Sequence, residues 1–329
     1  MGQAGRQSSI WARERSLAGA GSANAIRAKS ALTGREVGPS LRVVQRLGAM
    51  FPEGLPRAVR LGAGLPRSLL AVLGHQLLGL ILTVQGLGAF LLITLGVMFA
   101  RLGALPRMLR PMIAAQTARA GLRLLPMVTF LAVALGLVVI GQTVSLLSRV
   151  GATGYLGVVM VTAVVREIGP LVTALLVLMR VGVANVVELG TSRALGEVEA
   201  MEALGIDPIQ YLVLPRVVGM ALAVFALTVY LLIGALLSGY VWAFLQDVPL
   251  TPGEYVSQLT ASLRGLDFAL LGLKTCIFGV AIATVTCYHG LAQPVRLDQV
   301  PSATIRAVTQ SLVLCVLVDA LFLVVYLLA

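Results

Sequence analysis

The sequence predicts an all-α integral membrane protein: an N-terminal interfacial or membrane helix, five transmembrane helices, and one cytoplasmic amphipathic helix. Three observations predict it. Hydrophobic residues make up 58% of the 329 residues and charged residues only 12%, against roughly 25% charged in soluble domains. Mean hydropathy is +0.94. The apolar residues also gather into uncharged runs long enough to cross a hydrocarbon core, which takes about 20 helical residues.

The net charge of +11 comes from 25 Lys and Arg against 14 Asp and Glu. In so apolar a chain it points to basic cytoplasmic flanks beside anionic headgroups, not to nucleic acid. Cys276, Cys287 and Cys315 all sit in apolar runs, and only His75 and His289 are present. An odd cysteine count in such places argues against a disulfide framework, and no metal site is expected. The only lysines are Lys29 and Lys274, neither in a GxxxxGK[ST] pattern. No phosphate-binding loop is therefore expected, and no catalytic residue is assigned.

Residues 1–65 carry ten basic residues against three acidic ones, spaced by Gly, Ala and Ser. This predicts a disordered, cytoplasm-facing extension; an organellar transit peptide is the rival reading. Residues 66–329 form the second domain. Residues 69–100 hold no Asp, Glu, Lys or Arg but five glycines, which leaves a true span and an interfacial helix both open. Arg101, Arg107, Arg110, Arg119 and Arg123 follow as a cytoplasmic basic cluster.

Residues 124–148 are the first clear span, and 155–187 the second. The latter would be about 50 Å long and should protrude from the bilayer. Residues 191–205 break the apolar pattern. Leu195, Val198, Met201 and Leu204 recur on one side, and Glu197, Glu199 and Glu202 take the rest. Thr191 is the expected N-cap and Gly205 the stop, with Asp207-Pro208 opening the next helix. Spans over 217–246, 268–290 and 307–329 complete the chain. The loop over 247–267 is net negative, which suits the outer side, and the C-terminus falls there too.

Charges inside the spans draw attention because each costs at least ~2.5–3.5 kcal/mol to insert. Arg166, Glu167, Arg180, Lys274 and Asp319 are of this kind. Arg166 and Glu167 point about 100° apart on a helix, and Arg180 lies near four turns further on. Pro170 donates no backbone hydrogen bond, so the Arg166 carbonyl loses its helical partner and a kink is expected. These charges either brace the helices as an ion-pair network or line and gate a lipid cavity. Lys274 could pair with Glu167 or Asp319, or meet a lipid phosphate.

The stretch Arg166-Glu167-Ile168-Gly169-Pro170, then Arg180-Val181-Gly182, Glu188-Leu189-Gly190 and Glu199 to Pro208 resembles the MlaE/YrbE permease family. Leu214-Pro215-Arg216 extends the likeness, which covers roughly residues 75–329. Met179 stands where the family usually has Gly, and Leu195-Gly196-Glu197 where it has Thr-Glu-Gln. The resemblance implies the permease subunit of an ABC-type phospholipid or lipid transporter. It implies a separate ATPase that binds the ATP, an MCE-domain partner, a small STAS-domain accessory protein and a homodimer. Arg193, Glu197, Glu199, Glu202, Leu204 and Asp207 become the ATPase-coupling candidates. Arg166, Glu167, Pro170, Arg180, Lys274 and Asp319 remain the cavity candidates. The bacterial inner membrane is the expected location, or a chloroplast inner envelope if residues 1–65 are a transit peptide. The rival functions are a stand-alone solute or ion-coupled transporter, which would need inverted repeats with matching broken helices, and an integral membrane lipid-modifying enzyme.

Overall fold

The computed structural model describes residues 85–97, 109–245, 251–291 and 296–328. The basic segment 1–65, residues 69–84 (with His75) and 98–100 of the uncharged run, and Arg101 and Arg107 fall outside them. Five helices are long and apolar enough to cross a membrane: α2 (Arg110–Val150), α3 (Leu156–Ala194), α5 (Ile209–Leu245), α7 (Gly265–Leu291) and α8 (Leu297–Tyr326). Three shorter helices join them: α1 (Gln85–Val97), α4 (Glu197–Ala203) and α6 (Pro252–Ser262). No strand occurs among the described residues.

Every span is longer than its uncharged run. The helix α2 takes in 41 residues, about 61 Å at 1.5 Å per residue, and begins fourteen residues before the expected Leu124. Arginines do not end a helix; they only end its hydrocarbon section. The Arg110–Arg123 stretch thus continues α2 beyond the bilayer. The same reasoning extends α3 past residue 187 to Ala194. Thr191, expected as the N-cap of a separate helix, lies inside α3. The break falls instead at Gly196, whose φ of +79° suits a residue without a Cβ.

The central helices are α5 and α7, which pack on each other; α2 and α3 also pack on α5, and α8 packs on α7 and α3. Close approach of α5 and α7 is set at Gly279. A Cβ there would lie 2.5 Å from Ala221 Cα and 2.8 Å from the Met220 carbonyl oxygen. Both obstacles are backbone, so they cannot swing aside. Gly279→Val is expected to cost about 1–3 kcal/mol or more, read as a lower unfolding temperature in detergent.

A second cluster, with Ile140, Val144, Leu156, Met160, Leu232 and Tyr255, holds the α6 end of the bundle together. The loop over 247–267 contains the helix α6, which hydropathy did not reveal. Thr251 Oγ1 accepts from the Glu254 N–H at 3.3 Å, and Glu254 Oε2 accepts from the Thr251 N–H at 3.0 Å. This capping box sits over Pro252 at the first helical position. It also holds the Glu254 carboxyl below the usual range, by hydrogen bonds from the Thr251 backbone and side chain.

At the opposite end, Phe90 of α1 is buried edge-on against Tyr288 of α7, with ring centroids 5.8 Å apart. Thirteen residues of α1 reach about 20 Å, less than a bilayer core.

Candidate transport site and coupling helix

Lys274 has no exposed surface, although it carries a charge in the middle of a span. Its surroundings explain how. Nζ donates to the Arg166 carbonyl oxygen at 2.8 Å and to Glu167 Oε2 at 3.1 Å. Asp319 Oδ1 lies 2.7 Å from the same nitrogen as a close, off-axis ion pair. An ammonium has three protons, and three oxygens from α3 and α8 surround this one. The structure thus shows Lys274 paired with both carboxylates.

The first of those contacts follows from Pro170. Its ring nitrogen offers no proton to the Arg166 carbonyl, and the α3 segment just before it, Val161–Ile168, is wound as a π-helix. Lys274 of α7 supplies the missing donor. The charge therefore caps the backbone break and ties α7 to it.

Arg166 points elsewhere, as adjacent helical positions must. Its guanidinium pairs with Asp267 at 3.0 Å and lies 5.1 Å from the ring centroid of Tyr326. Asp267 also accepts from the Arg264 N–H at 2.9 Å. A chain of charges thus runs from the α6 end of the bundle inward, through Asp267, Arg166, Glu167, Lys274 and Asp319. Lys274 is about 14 Å along α7 from Gly265, so the chain reaches well into the hydrocarbon. Arg166 Nε, Glu167 Oε1 and Tyr326 Oη are buried and have no partner among the described residues. Among the described residues the network is therefore only partly self-satisfied.

Sequence reasoning missed Asp267 and Tyr326. Asp267 was counted only as loop charge, yet its position two residues into an apolar helix was a signal. Tyr326, in an uncharged run, gave none beyond its polar tip. Arg180 does not join the network. It is exposed and lines a separate cavity with Arg119 and Arg123 at the α4 end. Two π-helical segments, Val161–Ile168 and Leu178–Gly182, change the register that four regular turns would have kept.

The helix α4 is seated by Val198, which is buried in the main core, with Met201 packed half-buried beside it. Leu195 and Leu204 do not share that face: they are exposed at 60% and 78%. The turn at Gly196 rotates Leu195 away from the helix that follows, and Leu204, six residues past Val198 at the end of α4, lies about 120° round the helix from it. The exposed surface of α4 combines Glu197, Glu199 and Leu204. Asp207 opens α5 as expected, accepting from the Ile209 N–H at 3.0 Å. Arg193 and Glu202 are half-buried next to one another. Burial raises the Glu202 carboxyl above its ordinary value, with Arg193 opposing and Glu199 and Asp207 adding to the rise. A raised carboxyl penalises its charged form in the folded state, so stability should increase as pH falls through the folded value. Glu202→Gln is expected to remove that rise, measured as unfolding temperature against pH.

Between α3 and α5, Arg216 pairs with Glu188 at 2.9 Å. It closes the end of the bundle next to α4. Between α2 and α5, an open apolar groove of about 750 Å³ runs from Arg110 to Tyr230.

Known proteins resemble this chain in sequence. The family described as Permease MlaE matches residues 113–325, more than half of the chain. A probable ABC transporter permease of Rickettsia prowazekii is 30% identical over 197 residues, 59% of this chain and 74% of its own length. Another from Synechocystis is 32% identical over 173 residues, 53% of this chain and 65% of that one. The chloroplastic protein TRIGALACTOSYLDIACYLGLYCEROL 1 of Arabidopsis thaliana is 30% identical over 177 residues, 52% of this chain and 49% of that one. The matched region runs from the first turns of α2 to the end of α8 and includes the whole charge chain and α4. The chain belongs to the MlaE permease family.

Proposed function

We propose that this permease subunit moves lipid, driven by a separate ATPase that docks on α4. The observation that carries the reading is the join between α4 and α3. Only the Gly196 turn separates α4 from a helix of 39 residues whose far half holds Arg166, Glu167 and Pro170. Movement pressed on α4 passes along α3 to the broken, π-wound segment, where Lys274 and Asp319 hold α7 and α8 to it. ATP is bound and hydrolysed by the partner. Two copies of the chain form the permease, with the lipid cavity between them. On the α6 side an MCE-domain protein exchanges lipid with it, and a STAS-domain accessory protein accompanies the ATPase.

The lipid assignment is supported by the apolar lining of the spans, and by the name of the Arabidopsis relative, which contains that of a glycerolipid. The rickettsial and cyanobacterial relatives favour a bacterial cytoplasmic membrane, with α4 inside. A transit peptide in residues 1–65 would move the chain to a chloroplast envelope.

Gentle extraction of the chain from its native membrane tests this. A Walker-motif ATPase and an MCE-domain protein are expected to co-purify in fixed ratio with two copies of the chain. Purification of the chain alone, at full stability, would contradict the reading.

A further inference from the structure

We propose that the cavity between α2 and α3 at the α4 end is a receptor for a phosphate group, whose source is a lipid headgroup of the adjoining leaflet or free phosphate. The cavity, of about 440 Å³, is lined by Gln116, Arg119 and Arg123 of α2 and by Arg180, Asn185 and Glu188 of α3. Three guanidiniums share it with a single carboxylate. That carboxylate is already engaged, since Glu188 accepts from Arg216 at 2.9 Å. Arg119, Arg123 and Arg180 have no hydrogen bond or ion pair among the described residues. The wall therefore keeps a net positive charge that no carboxylate among the described residues balances. Arg216, the partner of Glu188, is buried, and its Nη1 has no hydrogen-bond partner among the described residues.

Depth selects the ligand class. The turn joining α2 and α3 marks the α6-side edge of the bilayer, with Val150 and Tyr155 exposed on it. Arg123 and Arg119 lie 27 and 31 residues from Val150, and Arg180 lies 24 residues from Leu156. At 1.5 Å per residue they stand roughly 36–46 Å from that turn. A hydrocarbon core of about 30 Å ends before them, and the headgroup layer of the far leaflet lies level with them. Guanidiniums match phosphate oxygens bidentately, whereas a zwitterion's amine would be repelled. This site is apart from the Lys274 network, on the opposite side of the membrane, and does not depend on what drives transport.

The test uses the full chain in neutral detergent, with unfolding temperature read against added phosphatidic acid, diacylglycerol, or inorganic phosphate at matched ionic strength. Phosphatidic acid is expected to stabilise the chain and diacylglycerol not. Arg119→Gln with Arg123→Gln should weaken the apparent affinity about 10- to 30-fold. Arg149→Gln, exposed at the other end of α2, should leave it near wild type. The double variant's unfolding temperature without ligand reports whether it is folded, and Arg119→Lys with Arg123→Lys, which keeps both charges but loses the bidentate fork, is expected to bind between wild type and the glutamine variant. A response to phosphatidic acid alone assigns a headgroup, and an equal response to inorganic phosphate assigns the free anion. Equal responses to phosphatidic acid and diacylglycerol, or equal affinities of wild type and the double glutamine variant, overturn the proposal.

Discussion

Lys274→Met is expected to cost about 3–5 kcal/mol of stability, the size seen when one partner of a buried ion pair is removed. The methionine fills a similar volume, so the loss is electrostatic. Glu167 and Asp319 both contact the same ammonium, at 3.1 and 2.7 Å, which leaves two carboxylates within about 6 Å of each other. The Arg166 carbonyl, freed by Pro170, loses its donor as well. Thermal unfolding in detergent measures the effect. Adding Glu167→Gln and Asp319→Asn to Lys274→Met should recover much of the stability, because the three side chains act as a unit. It should not recover transport if the charge itself is what α3, α7 and α8 move around. A Lys274→Met chain as stable as wild type would mean that the ammonium is not what holds these helices.

The second large effect is expected on α4. Leu204→Asp combined with Glu199→Lys should weaken ATPase association about 30-fold or more, the scale of lost interface anchors. Both side chains are exposed, Leu204 at 78%, so the unfolding temperature should stay near wild type. Val198→Asp is the contrasting case: Val198 is buried under α4, and its replacement should unseat the helix and lower stability. Titration of the solubilised chain with the ATPase separates the two. Binding unchanged in the Leu204 variant would move the docking surface elsewhere.

Hydropathy alone located all five spans, because a bilayer demands long uncharged runs and each run carried one helix. It could not fix their ends. Charged residues leave hydrocarbon but stay helical, so α2 runs on to Arg110 and α3 to Ala194. The helix α6 was legible in principle from Thr251-Pro252-Gly253-Glu254, a capping box with Pro at the first turn, but it is too polar for hydropathy to mark. Lys274, Glu167 and Asp319 were each visible as costly charges. What united them was not: the sequence separations of 107 and 45 residues carry no contact information. The one link that local chemistry foretold was the orphaned Arg166 carbonyl. Arg180 went the other way, because π-helical turns are not readable from side-chain spacing. The residues of α4 were legible as amphipathic, but the turn at Gly196 cut Leu195 off from Val198 and left it on the surface.

On the proposed function, ATP turnover in a partner docked on α4 drives lipid through this chain. The most direct measurement reconstitutes the chain with its ATPase in vesicles and follows a fluorescent phospholipid between the vesicles and the MCE-domain protein. Lipid movement that requires hydrolysable ATP, and is lost on Leu204→Asp with Glu199→Lys in a folded chain, is the predicted result. Movement at the same rate without ATP, or with α4 so altered, would contradict it.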